Sequence, residues 1–203
     1  MLYIVGLGPG HKDYILPIAN KTMEKSDLVI GFERAVNSIE HIKVDKKIVN
    51  TLKDTLQFIN ENKEKTISII ASGDPCFYGI TEYIKKNYLG ELQVIPGISS
   101  FQYFMSKLNK SWQKIHLGSM HGREEQFLQD LLKYKEMVIL TDSKNSPKNL
   151  CNILFENNIQ CEIAVGENLS YEDEKITIEK SDVIKDLDFG KLSVMYLKLL
   201  DKK

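Results

Sequence analysis

A glycine-rich segment directly follows the first apolar run of the chain. The sequence GLGPG occupies residues 6–10, after a β-type run at 2–6. Glycines here let the backbone turn sharply and let a ligand approach the main chain closely. A dinucleotide-binding loop is one alternative, with Glu33 near the position of its ribose-binding acid, although its sixth position is His11 and Pro9 lacks the N–H group. A purely structural turn is the other alternative, and the segment alone leaves both open.

Two further loops of this kind follow later apolar runs. SGDP stands at 72–75 and PGISS at 96–100. Alone, the first is typical of a tight turn, and Ser99 or Ser100 of the second is typical of a helix cap. Ligands of α/β sheets bind at the carboxyl ends of strands, where all three loops lie. Their convergence there predicts one binding cleft.

Two arginines stand out because the other basic residues are lysines. Of the 27 basic residues, only Arg34 and Arg123 are arginines. A guanidinium binds a carboxylate through two parallel hydrogen bonds, so both are candidates for binding an acidic ligand, with a surface ion pair as the alternative. His121 is a candidate ligand contact or holds its loop by hydrogen bonds. His11, His41 and His116 show no metal-ligand spacing, so no protein-held metal is predicted.

The order of the apolar runs predicts an α/β fold. β-type runs alternate with helical periodicity, which is typical of a mostly parallel sheet with helices on both faces. In the first half, the predicted strands are 2–6, 27–31, 66–71 and 92–95, and the predicted helices are 17–25, 51–62, 77–86 and 98–108.

A polar stretch at 109–114 interrupts this alternation. It predicts a boundary between a first domain, 1–109, and a second domain, 115–203. The second half alternates again, and its last two runs look like strands that could pair antiparallel. The predicted segments are strands at 115–117, 137–141 and 162–165, helices at 124–133 and 147–156, and final strands at 176–178 and 192–199.

Composition argues against several classes of protein. The net charge of -1 argues against a general nucleic-acid binder. The chain has no run of 18 apolar residues and enters its first strand without a basic segment, so neither a membrane span nor a signal peptide is predicted. Three cysteines without a CxxC pair fit a reducing cytoplasm.

Together, GLGPG, SGDPCFYG and PGISS resemble in order and spacing the three signature loops of the tetrapyrrole methylases. The resemblance covers the whole chain. It implies two α/β domains, S-adenosylmethionine bound in the cleft between them, and a homodimer.

Three other segments resemble the branch of this family that methylates C5 of a late precorrin or cobalt-precorrin in cobalamin biosynthesis. They are GFER at 31–34, SMHGR at 119–123 and GENLSY at 166–171. Members of that branch commonly continue the last motif with a proline, where this chain has Glu172. The missing proline puts the geometry of that turn in doubt.

The resemblance also implies roles for individual positions. Arg34, His121 and Arg123 would bind the acceptor ring, which carries many carboxylates. In-line methyl transfer needs alignment more than proton transfer, so no general base is nominated beyond Asp74 as a candidate. The cofactor-contacting positions are Pro9, Gly73, Asp74, Phe77, Ser99 and Ser100, with Thr141 and Leu169 as less certain contacts from the second domain.

Other functions stay open from the sequence. One is methylation of another acceptor, such as an RNA ribose or the diphthamide precursor. Another is a non-catalytic nucleotide-binding module. Within the corrin assignment, the two halves use the chain to about residue 199, so we expect a single methylation at C5. Methylation of C15 with decarboxylation would then belong to a separate partner protein.

Overall fold

A computed structural model describes residues 1–120 and 126–200. The described residues fall into two compact units, which divide between Ser100 and Phe101. Each unit is built on one five-stranded sheet, so the predicted α/β class is confirmed. The domain limits 1–109 and 115–203 stay a prediction.

The sheet of the first unit is entirely parallel, with the strand order β3-β2-β4-β1-β5. β1 is an interior strand between β4 and β5, and four of its five residues are buried, as expected for a strand covered on both faces. The strands are β1 (Leu2–Gly6), β2 (Leu28–Gly31), β3 (Lys46–Ile48), β4 (Ile67–Ala71) and β5 (Leu92–Ile95).

Helices cover both faces of this sheet, as the alternation predicted. Ile4 packs in one cluster with residues of α3 and α4, whereas its neighbour Val5 packs in another with residues of α1 and α2. This follows from the period of two along a strand. The helices are α1 (Pro17–Glu24), α2 (Glu33–Asn37), α3 (Leu52–Glu61), α4 (Thr81–Asn87) and α5 (Ser100–Lys107), of which α5 runs into the second unit.

The second sheet is mixed, with the strand order β6-β7-β10-β8-β9. Only β6 and β7 pair in parallel, and the other neighbours are antiparallel. The elements are β6 (His116–Ser119), α6 (Phe127–Tyr134), β7 (Glu136–Leu140), α7 (Pro147–Glu156), β8 (Cys161–Glu167), β9 (Lys175–Lys180), α8 (Ser181–Ile184) and β10 (Ser193–Leu199).

Most predicted elements lie within a few residues of the observed ones. The last two strands do not pair with each other, because β8 lies between them and each pairs with it antiparallel. The helix predicted at 77–86 was wrong at its start, because α4 begins at Thr81. Residues 124–125 of another predicted helix lie outside the described residues. None of the described helices is long and apolar enough to cross a membrane.

Candidate active site

The first and second loops are joined by their backbones. The Gly8 N–H donates to the Gly73 carbonyl at 3.3 Å, and the Gly73 N–H donates to the Gly8 carbonyl at 2.8 Å. Both glycines are left-handed, with φ of 79° at Gly8 and 67° at Gly73. L-residues with a Cβ rarely adopt this conformation, so the two glycines are required by the turn itself.

The third loop packs directly on the other two. A Cβ built on Gly97 would lie 2.2 Å from the Gly73 carbonyl oxygen and 2.9 Å from the Gly6 Cα. Glycine is therefore needed for the close approach of the backbones. The three loops that the sequence predicted to converge are brought together at the carboxyl ends of β1, β4 and β5.

Asp74 fastens the second loop to the third. Its Oδ1 accepts the Cys76 N–H at 2.7 Å, and its Oδ2 accepts the Gly97 N–H at 3.2 Å. Both carboxylate oxygens are therefore engaged by backbone donors. This arrangement gives Asp74 a role in holding the loops together, and its candidate role as general base stays a prediction.

The other predicted cofactor positions of the first unit lie on the same loops. Pro9 and Phe77 are partly buried, and Ser99 is 3% exposed. Ser100 is the first residue of α5. The Phe77 and Tyr78 rings pack edge to face, with centroids 4.9 Å apart.

The second loop is longer than predicted, and this explains the late start of α4. The Pro75 carbonyl accepts the Thr81 hydroxyl at 2.7 Å and the Thr81 N–H at 3.3 Å. Tyr78 between them has φ of 51°, which cannot continue a right-handed helix. The sequence predicted a helix from residue 77, but these contacts keep the chain in a loop up to residue 80.

Arg34 belongs to α2, which follows the neighbouring strand β2, and its side chain contacts the loop after β4. Its Nη2 donates to the Ser72 Oγ at 3.3 Å, and the arginine is exposed. Ser72 was not singled out as a site residue. The sequence gives no sign of the contact between Ser72 and Arg34, because the strands that precede them, β4 and β2, become neighbours only when the sheet forms.

In the second unit, Thr141 and Leu169 are both buried. The Thr141 hydroxyl donates to the Ser193 carbonyl at 2.9 Å and so links the end of β7 to the start of β10. A Cβ on Gly166 would lie 2.7 Å from both Leu169 and Phe104 side-chain atoms. These two predicted positions therefore have packing roles, and their part in cofactor binding stays a prediction.

The turn after β8 is closed by its own acidic residues. The Asn168 amide donates to Asp173 at 2.7 Å, and the Ser170 N–H donates to Glu174 at 2.7 Å. Glu174 also pairs with Lys107 of α5 at 3.1 Å. These contacts define the turn that contains Glu172.

Burial and hydrogen bonds shift the pKa values of Glu174 and the side chains that contact it. Burial raises the pKa of Glu174, but hydrogen bonds with Tyr103, the Ser170 N–H and Lys107 together lower it by more, so the net shift is downward. Burial and the hydrogen bond with Glu174 raise the pKa of Tyr103 to about 12. At neutral pH the cluster thus holds a carboxylate, an ammonium group and a neutral phenol.

Glu167 is a buried residue that sequence reasoning noted only as part of a motif. Its Oε1 accepts the Gly190 N–H at 2.8 Å, while Oε2 is buried without a hydrogen-bond partner in the described part of the chain. Its Oε1 fixes the loop before β10 against the end of β8. Only the burial of Glu167 points to this role, and burial is seen only in the folded structure.

Two predicted acceptor contacts, His121 and Arg123, lie outside the described residues. Across residues 1–120 and 126–200, no group of three or more His, Cys, Asp or Glu side chains is arranged to hold a metal ion. The first-unit site is formed by loop backbone, small side chains and the Phe77 ring. Such a site can bind and orient a ligand, and the Asp74 carboxylate in it holds the loops together.

The sequence matches one family model, described as Tetrapyrrole (Corrin/Porphyrin) Methylases, over residues 1–184. The chain belongs to this family. A curated relative from Methanocaldococcus jannaschii, named probable cobalt-precorrin-7 C(5)-methyltransferase, is 37% identical, with 96% of each chain covered. The family assignment favours a methyl-transfer site over the dinucleotide-binding loop that the first motif had left open.

Solved structures share the fold. A precorrin-6Y methylase of cobalamin biosynthesis from Archaeoglobus fulgidus has a TM-score of 0.78 at 22% identity, covering 98% of this chain and 97% of that chain. A uroporphyrin-III C-methyltransferase from Thermus thermophilus, complexed with S-adenosylhomocysteine, has a TM-score of 0.76 at 15% identity, covering 97% and 91%. At these identities the likeness concerns the fold alone.

Proposed function

We propose that this chain is an S-adenosylmethionine-dependent methyltransferase that methylates C5 of a late precorrin or cobalt-precorrin in cobalamin biosynthesis. The observation that carries the proposal is the 37% identity, over 96% of both chains, with the relative that bears this activity in its name. The segments GFER at 31–34 and GENLSY at 166–171, characteristic of this branch, support the same acceptor.

The three loops of the first unit fit the cofactor. A Cβ on Gly73 would meet no protein atom closer than 3.7 Å, so this glycine faces space that a ligand can use. Backbone groups of the loops are suited to the polar ends of the cofactor, and the half-buried Phe77 is suited to its apolar parts. The positions that would hold it are Pro9, Gly73, Asp74, Phe77, Ser99 and Ser100, with Thr141 and Leu169 from the second unit.

The chain's own contribution to the reaction is alignment. The cofactor supplies a methyl group on a positively charged sulfur. The Gly8–Gly73 bridge and the Asp74–Gly97 hydrogen bond hold the loops in one conformation, so the ligand meets a preformed surface. Asp74 acts through this positioning, and no proton transfer by it is required.

The acceptor side of the proposal rests on positive charge. Arg34, His121 and Arg123 would bind carboxylates of the corrin precursor, because a guanidinium–carboxylate pair is strong and directional. We further propose that the chain acts as a cytoplasmic homodimer and that a separate protein methylates C15.

The test is incubation of the purified chain with S-adenosylmethionine and a panel of corrin precursors, followed by mass spectrometry. We expect one added methyl group on the C5-unmethylated precursor, located at C5 by NMR, and none when the cofactor is omitted. A product with two added methyl groups or a lost carboxyl group would contradict the single methylation. Turnover of an RNA or diphthamide precursor, with no corrin methylated, would overturn the proposed acceptor.

A further inference from the structure

The carboxyl edge of the first sheet has two sides that share one loop. Because β4 lies between β2 and β1, the loop that begins at Ser72 borders both neighbours. On the β1 side, this loop pairs with Gly8 and contacts Gly97 through its backbone and Asp74. On the β2 side, it meets the side chain of Arg34.

Arg34 is held by a neutral partner. Its Nη2 donates to the Ser72 Oγ at 3.3 Å, which is its one hydrogen bond with the described residues, and none of their carboxylates pairs with it. A guanidinium has five donors, so this contact leaves most of them for another ligand. A serine hydroxyl can orient the group without neutralising its charge.

Ser72 is also covalently bonded to Gly73, the glycine of the proposed cofactor loop. Consecutive Cα atoms are about 3.8 Å apart, so the serine that contacts the Arg34 guanidinium is directly adjacent to the cofactor loop. We propose that Ser72 positions Arg34 to bind a carboxylate at the edge of the acceptor, beside the methyl donor. This inference rests on the proposed function, in which the acceptor is an acidic tetrapyrrole.

The surroundings of Arg34 fit a large ring edged by carboxylates. Phe32, two residues before Arg34, is 41% exposed, and Tyr78, in the shared loop, is 39% exposed. Exposed aromatic rings can pack on the face of a large conjugated ligand while a cation binds a carboxylate at its edge. Ser72 thereby becomes a positioning residue and Arg34 a residue that touches substrate.

The first experiment measures binding of a porphyrin that bears several carboxylates, and of the same porphyrin with its carboxylates converted to neutral amides. We expect Arg34→Ala to weaken binding of the acid about 10-fold or more and to leave binding of the amide unchanged. Lys63→Ala is the matched control, since Lys63 is exposed between α3 and β4, at the opposite edge of the sheet. Equal losses for acid and amide, or equal losses in both variants, would overturn the proposal.

The second experiment is a double-mutant cycle on the same binding. We expect Ser72→Ala to weaken binding of the acid about 3- to 10-fold in the wild-type background, with no further loss when added to Arg34→Ala. Affinity for S-adenosylhomocysteine should stay unchanged in both single variants. An undiminished Ser72 effect without Arg34, or a matching loss of cofactor affinity, would show that Ser72 only supports the loop.

These outcomes are separate from the proposed function. The product assay can fail to show C5 methylation while the acid porphyrin still binds through Arg34, and then only the acceptor has to be revised. Conversely, normal C5 methylation with Arg34-independent binding of the acid would remove this inference alone.

Discussion

At the scale of single residues, Asp74 shows how a conspicuous acidic residue can serve geometry. Its two oxygens accept backbone N–H groups from two loops. Charge-assisted hydrogen bonds of this kind are among the stronger ones in proteins. The carboxylate thus holds the Cys76 and Gly97 backbones in place, and these loops in turn align the ligands for the reaction.

Gly73 provides the sharpest test at this scale. Its φ of 67° is costly for an L-residue, by about 1–2 kcal/mol. We therefore expect Gly73→Ala to raise the dissociation constant for S-adenosylhomocysteine about 10-fold or more, measured by titration calorimetry, because the loop must shift to relieve the strain.

Gly190→Ala is the matched control, since Gly190 is not left-handed and a Cβ there would be 3.5 Å from the nearest atom, Glu167 Oε1. It should leave the affinity unchanged. Unchanged affinity in Gly73→Ala would refute the role of this loop in cofactor binding.

The site residues that could be predicted are those whose residue type signals a backbone requirement. Gly8, Gly73 and Gly97 stand in loops after apolar runs, and the fold needs a glycine at each. Ser72 and Glu167 could not be found in this way. Their roles depend on partners that only the packing of distant strands brings near.

At the scale of elements, helix starts were harder to predict than strands. Strand limits follow from buried apolar runs, such as Ile67–Ala71. The start of α4 depends on the Pro75–Thr81 contacts, which compete with helical hydrogen bonds and leave no periodic signal. The short elements α2, α8 and β3 were missed for a related reason, because three to five residues are too few to show a period.

The turn after β8 offers a prediction about pH. The pKa of Glu174 is lowered in the folded state, so its contribution to stability is present above the pKa of the unfolded state and is lost as the pH falls through the folded value. We expect Glu174→Gln to lower the free energy of unfolding at pH 7 by about 1 kcal/mol, measured by urea denaturation.

The difference from wild type should shrink as the pH falls below the unfolded pKa of about 4.3 and through the lower native pKa, because the native carboxylate then becomes protonated. Glu172→Gln is the control, because Glu172 is exposed two residues earlier in the same motif. If both variants behave alike, the contacts of Glu174 with Ser170 and Lys107 do not stabilise the turn.

At the scale of the whole molecule, the sequence predicted the two α/β halves but not the order of their strands. Alternating patterns show that strands and helices follow one another. They do not show that β3 takes the outer edge of the first sheet, or that β9 and β10 both pair with β8. Strand order depends on long-range pairing, which local periodicity does not encode.

The assembly of the whole molecule is open to a direct test. We expect a twofold homodimer, since closed C₂ assemblies are the commonest oligomers and the family resemblance implies one. Light scattering coupled to size exclusion at micromolar concentration should give twice the chain mass of 23.3 kDa. A single-chain mass across the concentration series would contradict the prediction.

The position of β10 has a consequence for how the chain is made. This strand comes last among the described elements, yet it lies between β7 and β8 in the second sheet. During translation, the β6–β7 pair and the β8–β9 hairpin therefore remain apart, with open edges, until β10 leaves the ribosome. The first unit has all five of its strands much earlier, so it can fold while the second is still being synthesised.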